Sequence, residues 1–309
     1  MYQPTFKDAS IWAILWRSAL ALLGVSILAG VLMGLFNFNY LAFISILTDG
    51  LLYFAFYKIT IRQMEKQSLS TEALSKPGPK SKKALLKITG ITLLIALMAF
   101  TFIQFILTTV SFVPFLFDSV MPYIMDISFA EVEISYIYIF ITAVIFAPLV
   151  EEVVFRGYLM NKWVDKYGLN KGIWFSSLIF MIVHLQSLFI PQLLLGLFCA
   201  IIYAKYKNLF YPIVAHALYN LFVILPAILT PEPNAMDLHF EMLALSNLVN
   251  ERPVEYIILS AVFIVSLVVF FFIGKRIIQS IKETNSPYTE NLKADTNSPT
   301  FDNFEDIEF

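Results

Sequence analysis

The amino-acid composition of this chain is that of a membrane protein. Of its 309 residues, 59% are hydrophobic and only 14% are charged, about half of the charged share expected of a soluble globular domain. A soluble protein of this length could not bury so much apolar surface in one core, which excludes a soluble enzyme. The net charge of -2 offers no basic surface for nucleic acid. A single cysteine, Cys199, excludes an intramolecular disulfide and a cysteine-rich metal site.

Apolar runs of about 20 residues are long enough to cross the hydrocarbon layer of a bilayer. The sequence predicts about eight such transmembrane helices, and therefore an all-α membrane protein. The boundary between the fifth and sixth runs is placed at Pro191 and Gln192. The predicted spans are 13–36, 38–60, 88–112, 134–158, 172–190, 191–206, 211–228 and 254–274.

The distribution of basic residues predicts the orientation of these spans. Lysine and arginine collect on the cytoplasmic side of membrane proteins, and here they follow every even-numbered span. The connecting loops 114–133 and 229–253 carry mainly acids. We therefore expect a multi-pass protein of a cell membrane, surrounded by the lipid bilayer, with both termini in the cytoplasm; the Lys-, Ile- and Phe-rich composition suggests a bacterial one. The basic residues are Arg62, Lys66, Lys76, Lys80, Lys82, Lys83, Lys87, Lys162, Lys166, Lys171, Lys205, Lys207, Lys275, Arg276 and Lys282.

Changes in composition divide the chain into four predicted regions. Residues 1–61 form an N-terminal two-helix transmembrane hairpin. Residues 62–87 form a basic cytoplasmic linker that is rich in Ser, Lys and Pro. Residues 88–275 form the membrane core. Residues 276–309 are predicted to be a disordered, acidic cytoplasmic tail, because charge without apolar residues does not support a packed core.

Six polar residues inside the predicted spans are the candidates for function. Glu152 and Arg156 are four residues apart on one helix, so they share a face and can pair, whereas Glu151 points about 100° away. Three charged groups facing lipid would cost roughly 9 kcal/mol, at about 3 kcal/mol each, so they must face one another or a water-filled cavity. The six residues are Glu151, Glu152 and Arg156 in span four, His184 in span five, and His216 and Asn220 in span seven.

A purely structural interpretation of each residue has to be considered. The two glutamates and Arg156 could be a charge cluster at the membrane interface, and the histidines and Asn220 could be hydrogen-bonding groups between helices. Asp49 in span two can be read as a satisfied polar group in the same way. The combination of two carboxylates, a guanidinium, two imidazoles and an amide on three nearby spans favours a functional site and predicts a polar catalytic cavity within the helical bundle.

Two kinds of hydrolytic chemistry fit this set. In the first, a carboxylate acts as general base on water while an imidazole and an amide donate hydrogen bonds to an oxyanion. In the second, Glu151, His184 and His216 bind a divalent metal such as Zn²⁺, with water at the open position. The H-E-x-x-H pattern of many zinc proteases is absent. No Ser or Cys has the surroundings of a nucleophile.

The spacing of the six residues resembles a known family. Glu-Glu-x-x-x-Arg at 151–156, Phe-x-x-x-His at 180–184 and His-x-x-x-Asn at 216–220 resemble the three motifs of the CPBP family, also called Abi, of CAAX proteases and bacteriocin-processing enzymes. The resemblance covers about 135–225 and implies an intramembrane endopeptidase. Eukaryotic members trim prenylated CAAX proteins, and bacterial members are linked to peptide processing and bacteriocin immunity.

The resemblance also implies a role for each residue. Glu151 and His184 would activate water, His216 and Asn220 would form the oxyanion hole, and Arg156 would hold Glu152. The expected partner is a membrane-associated peptide or protein substrate. The need for a metal is left open by the resemblance. Two other functions stay open as well, namely a non-catalytic membrane regulator or bacteriocin-immunity protein, and a transporter that uses the buried charges as an ion relay.

Overall fold

The fold is described from a computed structural model, which covers residues 5–36, 40–76, 80–111, 136–184, 189–229, 253–282 and 285–296. Within these ranges the regular structure is entirely helical, apart from one isolated bridge between Ser75 and Asn208. The prediction of an all-α membrane protein is confirmed.

Nine helices account for most of the described chain. The fourth, α4, is continuous but changes its winding, with α-helical segments at Tyr136–Ile139, Ala147–Glu152 and Asn161–Tyr167 and π-helical segments at Phe140–Phe146 and Val153–Met160. Short 3-10 turns cover Phe6–Asp8 and Glu72–Leu74. The other helices are α1 (Ile11–Phe36), α2 (Leu41–Lys66), α3 (Lys82–Ser111), α5 (Leu169–Val183), α6 (Phe189–Tyr206), α7 (Phe210–Leu229), α8 (Pro253–Gln279) and α9 (Pro287–Thr296).

The helices match the predicted apolar runs, but several of their ends differ from the predicted ones. In the described ranges five helices, α1, α2, α3, α4 and α8, are long and apolar enough to span a membrane, and α5, α6 and α7 are shorter apolar helices. The boundary predicted at Pro191 is wrong, because α5 ends at Val183 and α6 begins at Phe189. Pro191 therefore lies in the first turn of α6, where a missing backbone N–H leaves no hydrogen bond unmade. Helix α4 continues to Tyr167, well beyond residue 158.

A tight turn between α4 and α5 sets the register of the two helices. Gly168 has a φ of 88°, a left-handed conformation that glycine adopts without strain. Gly172 packs so closely on Val164 that an added Cβ would collide with it. Arg156 precedes Val164 on α4 by as many residues as Phe180 follows Gly172 on α5. The turn therefore places Phe180 beside Arg156, and brings the end of α5 next to Glu151.

The C-terminal region contains a helix where disorder was predicted. Ser286 caps α9 by accepting a hydrogen bond from the Thr289 N–H at 3.2 Å, and Pro287 occupies the first helical position, where proline is favoured. Tyr288 is fully buried, and that burial raises the pKa of its phenol. The prediction of disorder is wrong for this stretch, because a cap, a buried aromatic ring and the buried amide of Asn291 dock a short helix there. Residues 297–309 lie outside the described part.

The polar segments gather at one end of the bundle. The Phe6–Asp8 turn, the linker around Leu74 and helix α9 contact one another there. Loop 114–133 and nearly all of loop 229–253 lie outside the described residues. The cytoplasmic assignment of this end, the four-region division and the bacterial origin stay predictions.

Candidate active site

Helices α4 and α7 meet at a carboxylate that binds two partners. Glu152 Oε1 accepts a hydrogen bond from Arg156 Nη1 at 3.0 Å and another from His216 Nδ1 at 2.9 Å. Glu152 and Arg156 have no solvent exposure, and His216 has almost none. The pairing of Glu152 with Arg156 that the spacing predicts is confirmed, and the structure adds His216 to it. A buried carboxylate with two charge-assisted donors is a rigid support for an imidazole.

Arg156 is fixed by two further contacts from α5 and α6. Its Nη2 donates to the carbonyl of Gly196 at 2.9 Å, and its guanidinium lies 4.7 Å from the centre of the Phe180 ring. Gly196 allows α6 to approach α5 closely, because an added Cβ would lie 3.3 Å from the Cα of Ser177. Cation–π contacts with desolvated guanidinium groups stabilise such arrangements. Arg156 therefore connects three helices around the site.

Glu151 faces two imidazole nitrogens without bonding to either. Its Oε2 lies 3.6 Å from His184 Nε2 and 4.0 Å from His216 Nε2, longer than a hydrogen bond. Among the described residues this oxygen has no hydrogen-bond donor. The side chains of Glu151 and His184 are 16% and 23% exposed, whereas that of His216 is 3% exposed. The accessible side of the site is therefore the side of Glu151 and His184.

The other nitrogen of each imidazole is already engaged. His184 Nδ1 lies 2.7 Å from the carbonyl of Phe180, and His216 Nδ1 lies 2.9 Å from Glu152. Both partners are acceptors, so each Nδ1 must carry the proton and, in the neutral ring, each Nε2 presents a lone pair. The Nε2 atoms of both rings face the same carboxylate oxygen of Glu151, at 3.6 Å for His184 and 4.0 Å for His216.

Phe180 packs against both histidines. Its ring centre lies 4.5 Å from that of His184 and 5.5 Å from that of His216. Phe180 precedes His184 by one helical turn, so the sequence alone indicates a contact with His184. In the structure one buried ring orients both imidazoles and Arg156, which no spacing rule within a single helix could show.

Asn220 makes its hydrogen bond away from the other five candidate residues. Its Nδ2 donates to the carbonyl of Ala143 at 2.6 Å. Ala143 belongs to the first π-helical segment of α4, where the change of winding leaves carbonyls available to side chains. The structure thus brings Glu151, Glu152, Arg156, His184 and His216 together, and joins Asn220 to α4 at a neighbouring position.

Helix α2 places a second polar group near α4. The Tyr138 hydroxyl donates to Asp49 Oδ2 at 2.8 Å, and the Tyr53 ring lies 6.4 Å from that of Phe146. Gly50 permits this approach, because an added Cβ would lie 3.3 Å from the Phe146 ring. The sequence indicates this contact only through Asp49, a single acid inside a span, and it does not identify Tyr138 as the partner. The N-terminal hairpin is therefore packed against the helix that carries the glutamates.

The donor types of the site fit a divalent metal better than their spacing does. Two imidazoles and one carboxylate are ordinary zinc ligands, and histidines that bind metals commonly donate their second N–H to a carbonyl or a carboxylate. Ligand atoms around tetrahedral zinc lie roughly 3.4 Å apart, given bonds of about 2.0–2.2 Å. Over the described residues, no three His, Cys, Asp or Glu side chains are arranged to hold a metal ion.

Comparison with known protein families gives a match to the segment that carries these residues. Residues 133–222 match the family described as type II CAAX prenyl endopeptidase Rce1-like. The resemblance to CPBP-type CAAX proteases is confirmed. All six candidate residues lie inside the matched range.

One relative is also described as a CAAX protease. The chain is 35% identical over 103 residues to the membrane-embedded CAAX protease MroQ of Staphylococcus aureus (strain USA300). The aligned segment covers 31% of this chain and 41% of that protein, so the match spans less than half of either. No solved structure shows a significant match.

Proposed function

We propose that this protein is an intramembrane endopeptidase that hydrolyses a peptide bond of a membrane-associated peptide or protein. The observation that supports the proposal is the convergence of Glu151 Oε2 with the Nε2 atoms of His184 and His216 at 3.6 and 4.0 Å. A water molecule is the simplest group that bridges polar atoms across such distances. It would donate a proton to Glu151 Oε2, which has no other hydrogen-bond donor among the described residues, and keep a lone pair for the substrate.

Water activation is assigned to Glu151 and His184. A carboxylate in a desolvated site is a stronger base than in water, which suits removal of a proton from water at neutral pH. As the water oxygen bonds to the substrate carbonyl carbon, Glu151 takes the proton. When the C–N bond breaks, that proton passes to the leaving amine, and a free carboxylic acid and amine result. The exposure of Glu151 and His184 gives substrate a path to this water.

Oxyanion stabilisation is assigned to His216 and Asn220. His216 can donate to an oxyanion from Nε2 only as an imidazolium, because its Nδ1–H is donated to Glu152. Glu152 balances that charge, and Arg156 holds Glu152 in place. The Asn220 amide carries two N–H groups, and the bond to Ala143 accounts for one of them.

The loss of Asn220 should slow the reaction without unfolding the protein. We expect Asn220→Ala to lower kcat by about 10²–10³-fold, the usual effect of removing one oxyanion donor. Turnover of a reconstituted substrate in proteoliposomes measures this. Asn285→Ala is a matched control, because Asn285 is an exposed amide outside the site. If Asn220→Ala keeps the wild-type kcat, Asn220 is not an oxyanion donor, and its only role is the hydrogen bond to the Ala143 carbonyl.

A metal mechanism is the second candidate, favoured by the ligand types alone. Glu151, His184 and His216 would hold the ion, which would polarise a carbonyl and acidify bound water. Because the three donors are more widely spaced than in a formed site, we expect turnover to persist in a strong chelator. The measurement is turnover after chelation and after addition of Zn²⁺. Complete loss with recovery in Zn²⁺ would instead make these residues metal ligands.

The substrate can be identified by a comparison of whole membrane proteomes. Mass spectrometry of membrane proteins and released peptides would compare cells that carry the wild-type chain with cells that carry Glu151→Gln. The proposal expects new peptide termini in wild-type cells that are missing from the variant. Identical peptide termini in both strains would contradict it.

A further inference from the structure

Asn161 is a fully buried amide in the last α-helical segment of α4. Its Nδ2 donates to the carbonyls of Arg156 and Gly157 at 3.2 and 2.8 Å, and to the Tyr203 hydroxyl at 3.1 Å. Its Oδ1 accepts the backbone N–H of Tyr288 at 3.2 Å. Both polar atoms of this side chain are therefore engaged within the protein.

The first of these contacts leads to the candidate active site. Val153–Met160 is π-helical, and Asn161 binds the carbonyls of two residues of this segment. It therefore holds the turn that sets the direction of the Arg156 side chain. Arg156 donates to Glu152, and Glu152 accepts from His216. A continuous series of contacts thus joins Asn161 to the imidazole beside Glu151.

The last contact leads to the C-terminal helix. The Tyr288 ring packs edge-on to Phe6 at 4.8 Å, and the Tyr288 hydroxyl accepts the Ser70 N–H at 3.0 Å. One turn along α9, Asn291 donates to the carbonyls of Ala73 and Lys207 at 2.9 and 2.8 Å. Helix α9 is therefore anchored at two points, and its N-terminal backbone presents one N–H to Asn161.

We propose that Asn161 is a positioning residue of the active site and that helix α9, docked through Tyr288, completes its support. The inference rests on the proposed function, but it concerns residues outside the three motifs and, for α9, outside the matched segment. Asn161 touches no reacting atom and acts through Arg156 and Glu152. Undocking α9 removes the N–H that donates to the amide oxygen and lets the π-helical turn at Arg156 relax.

The size of the effect follows from geometry. A misplacement of about 1 Å in a catalytic group can lower a rate on the order of 10²-fold, and here the shift reaches His216 through two intermediate side chains. We expect Asn161→Ala and Tyr288→Ala to lower kcat by about tenfold while KM stays within about twofold. The probe is the cleavage-site sequence found by mass spectrometry, made as an internally quenched peptide.

A spectroscopic measurement tests the inference independently of activity. The chain has only three histidines, so ¹⁵N-histidine NMR of the full-length protein in micelles resolves each ring. Asn161→Ala and Tyr288→Ala should shift the His216 nitrogen resonances more than those of His184. Asn285→Ala, which alters an exposed amide next to α9, should leave both unchanged.

The outcomes separate this inference from the proposed function. Wild-type His216 resonances in folded Asn161→Ala and Tyr288→Ala proteins would overturn the positioning role, whatever the activity. Shifted resonances in a protein that cleaves no peptide would support the positioning role and contradict the protease. If either variant fails to accumulate, Asn291→Ala loosens the second anchor of α9 and leaves the amide of Asn161 in place. The same comparison of His216 with His184 then decides.

Discussion

Glu151→Gln is expected to lower turnover by about 10²–10⁴-fold, the usual contribution of a positioned general base. Glutamine keeps the size of the side chain and one carbonyl oxygen, but it cannot take a proton from water. Glu152, which supports His216, is untouched by this change. We therefore expect kcat to fall with little change in folding, measured as cleavage of the reconstituted substrate at equal amounts of protein.

The control for this variant is the same chemical change at a surface site. Glu65 is exposed at the end of α2, and Glu65→Gln should cleave at the wild-type rate. Equal membrane abundance of both variants would show that loss of activity is not loss of protein. If Glu151→Gln cleaves as fast as the wild type, Glu151 is not the general base. If the wild-type protein itself cleaves nothing, a non-catalytic membrane regulator takes the place of the hydrolase.

Arg156→Met is expected to damage the fold more than any other single change at the site. It leaves the carboxylate of Glu152 buried without its guanidinium, and breaking a buried ion pair in this way costs about 3–5 kcal/mol. It also removes the hydrogen bond to Gly196 and the contact with the Phe180 ring. Because a domain is stable by only about 5–15 kcal/mol, we expect low membrane abundance and a clearly lower Tm in detergent.

A double variant separates the charge effect from the packing effect. Adding Glu152→Gln to Arg156→Met removes the unpaired carboxylate, so part of the lost stability should return. The non-additivity of the two changes measures the interaction. An Arg156→Met protein with the Tm of the wild type would contradict the ion-pair account.

Features that depend on neighbours along the chain could be predicted from the sequence. The apolar runs mark helices because backbone groups in lipid must be satisfied within a helix. Glu152 and Arg156 pair because residues four apart share a helix face. The three motifs identified the segment that matches the family model, because the order of residues along a chain does not depend on how the helices pack. The cap at Ser286 and Pro287 was equally local, but the charge of the surrounding tail pointed to disorder instead.

Contacts between distant helices were decided only by the tertiary structure. The sequence by itself determined a multi-pass helical protein with six polar residues in three spans, because helix formation and periodicity are local. It could not show that Glu152 supports His216, that Gly196 receives Arg156, or that Asn220 binds Ala143. Nor could it show that Tyr288 reaches Asn161. Those pairings depend on how closely helices approach and rotate, which is set by glycine contacts, π-helical turns and aromatic packing from the whole bundle.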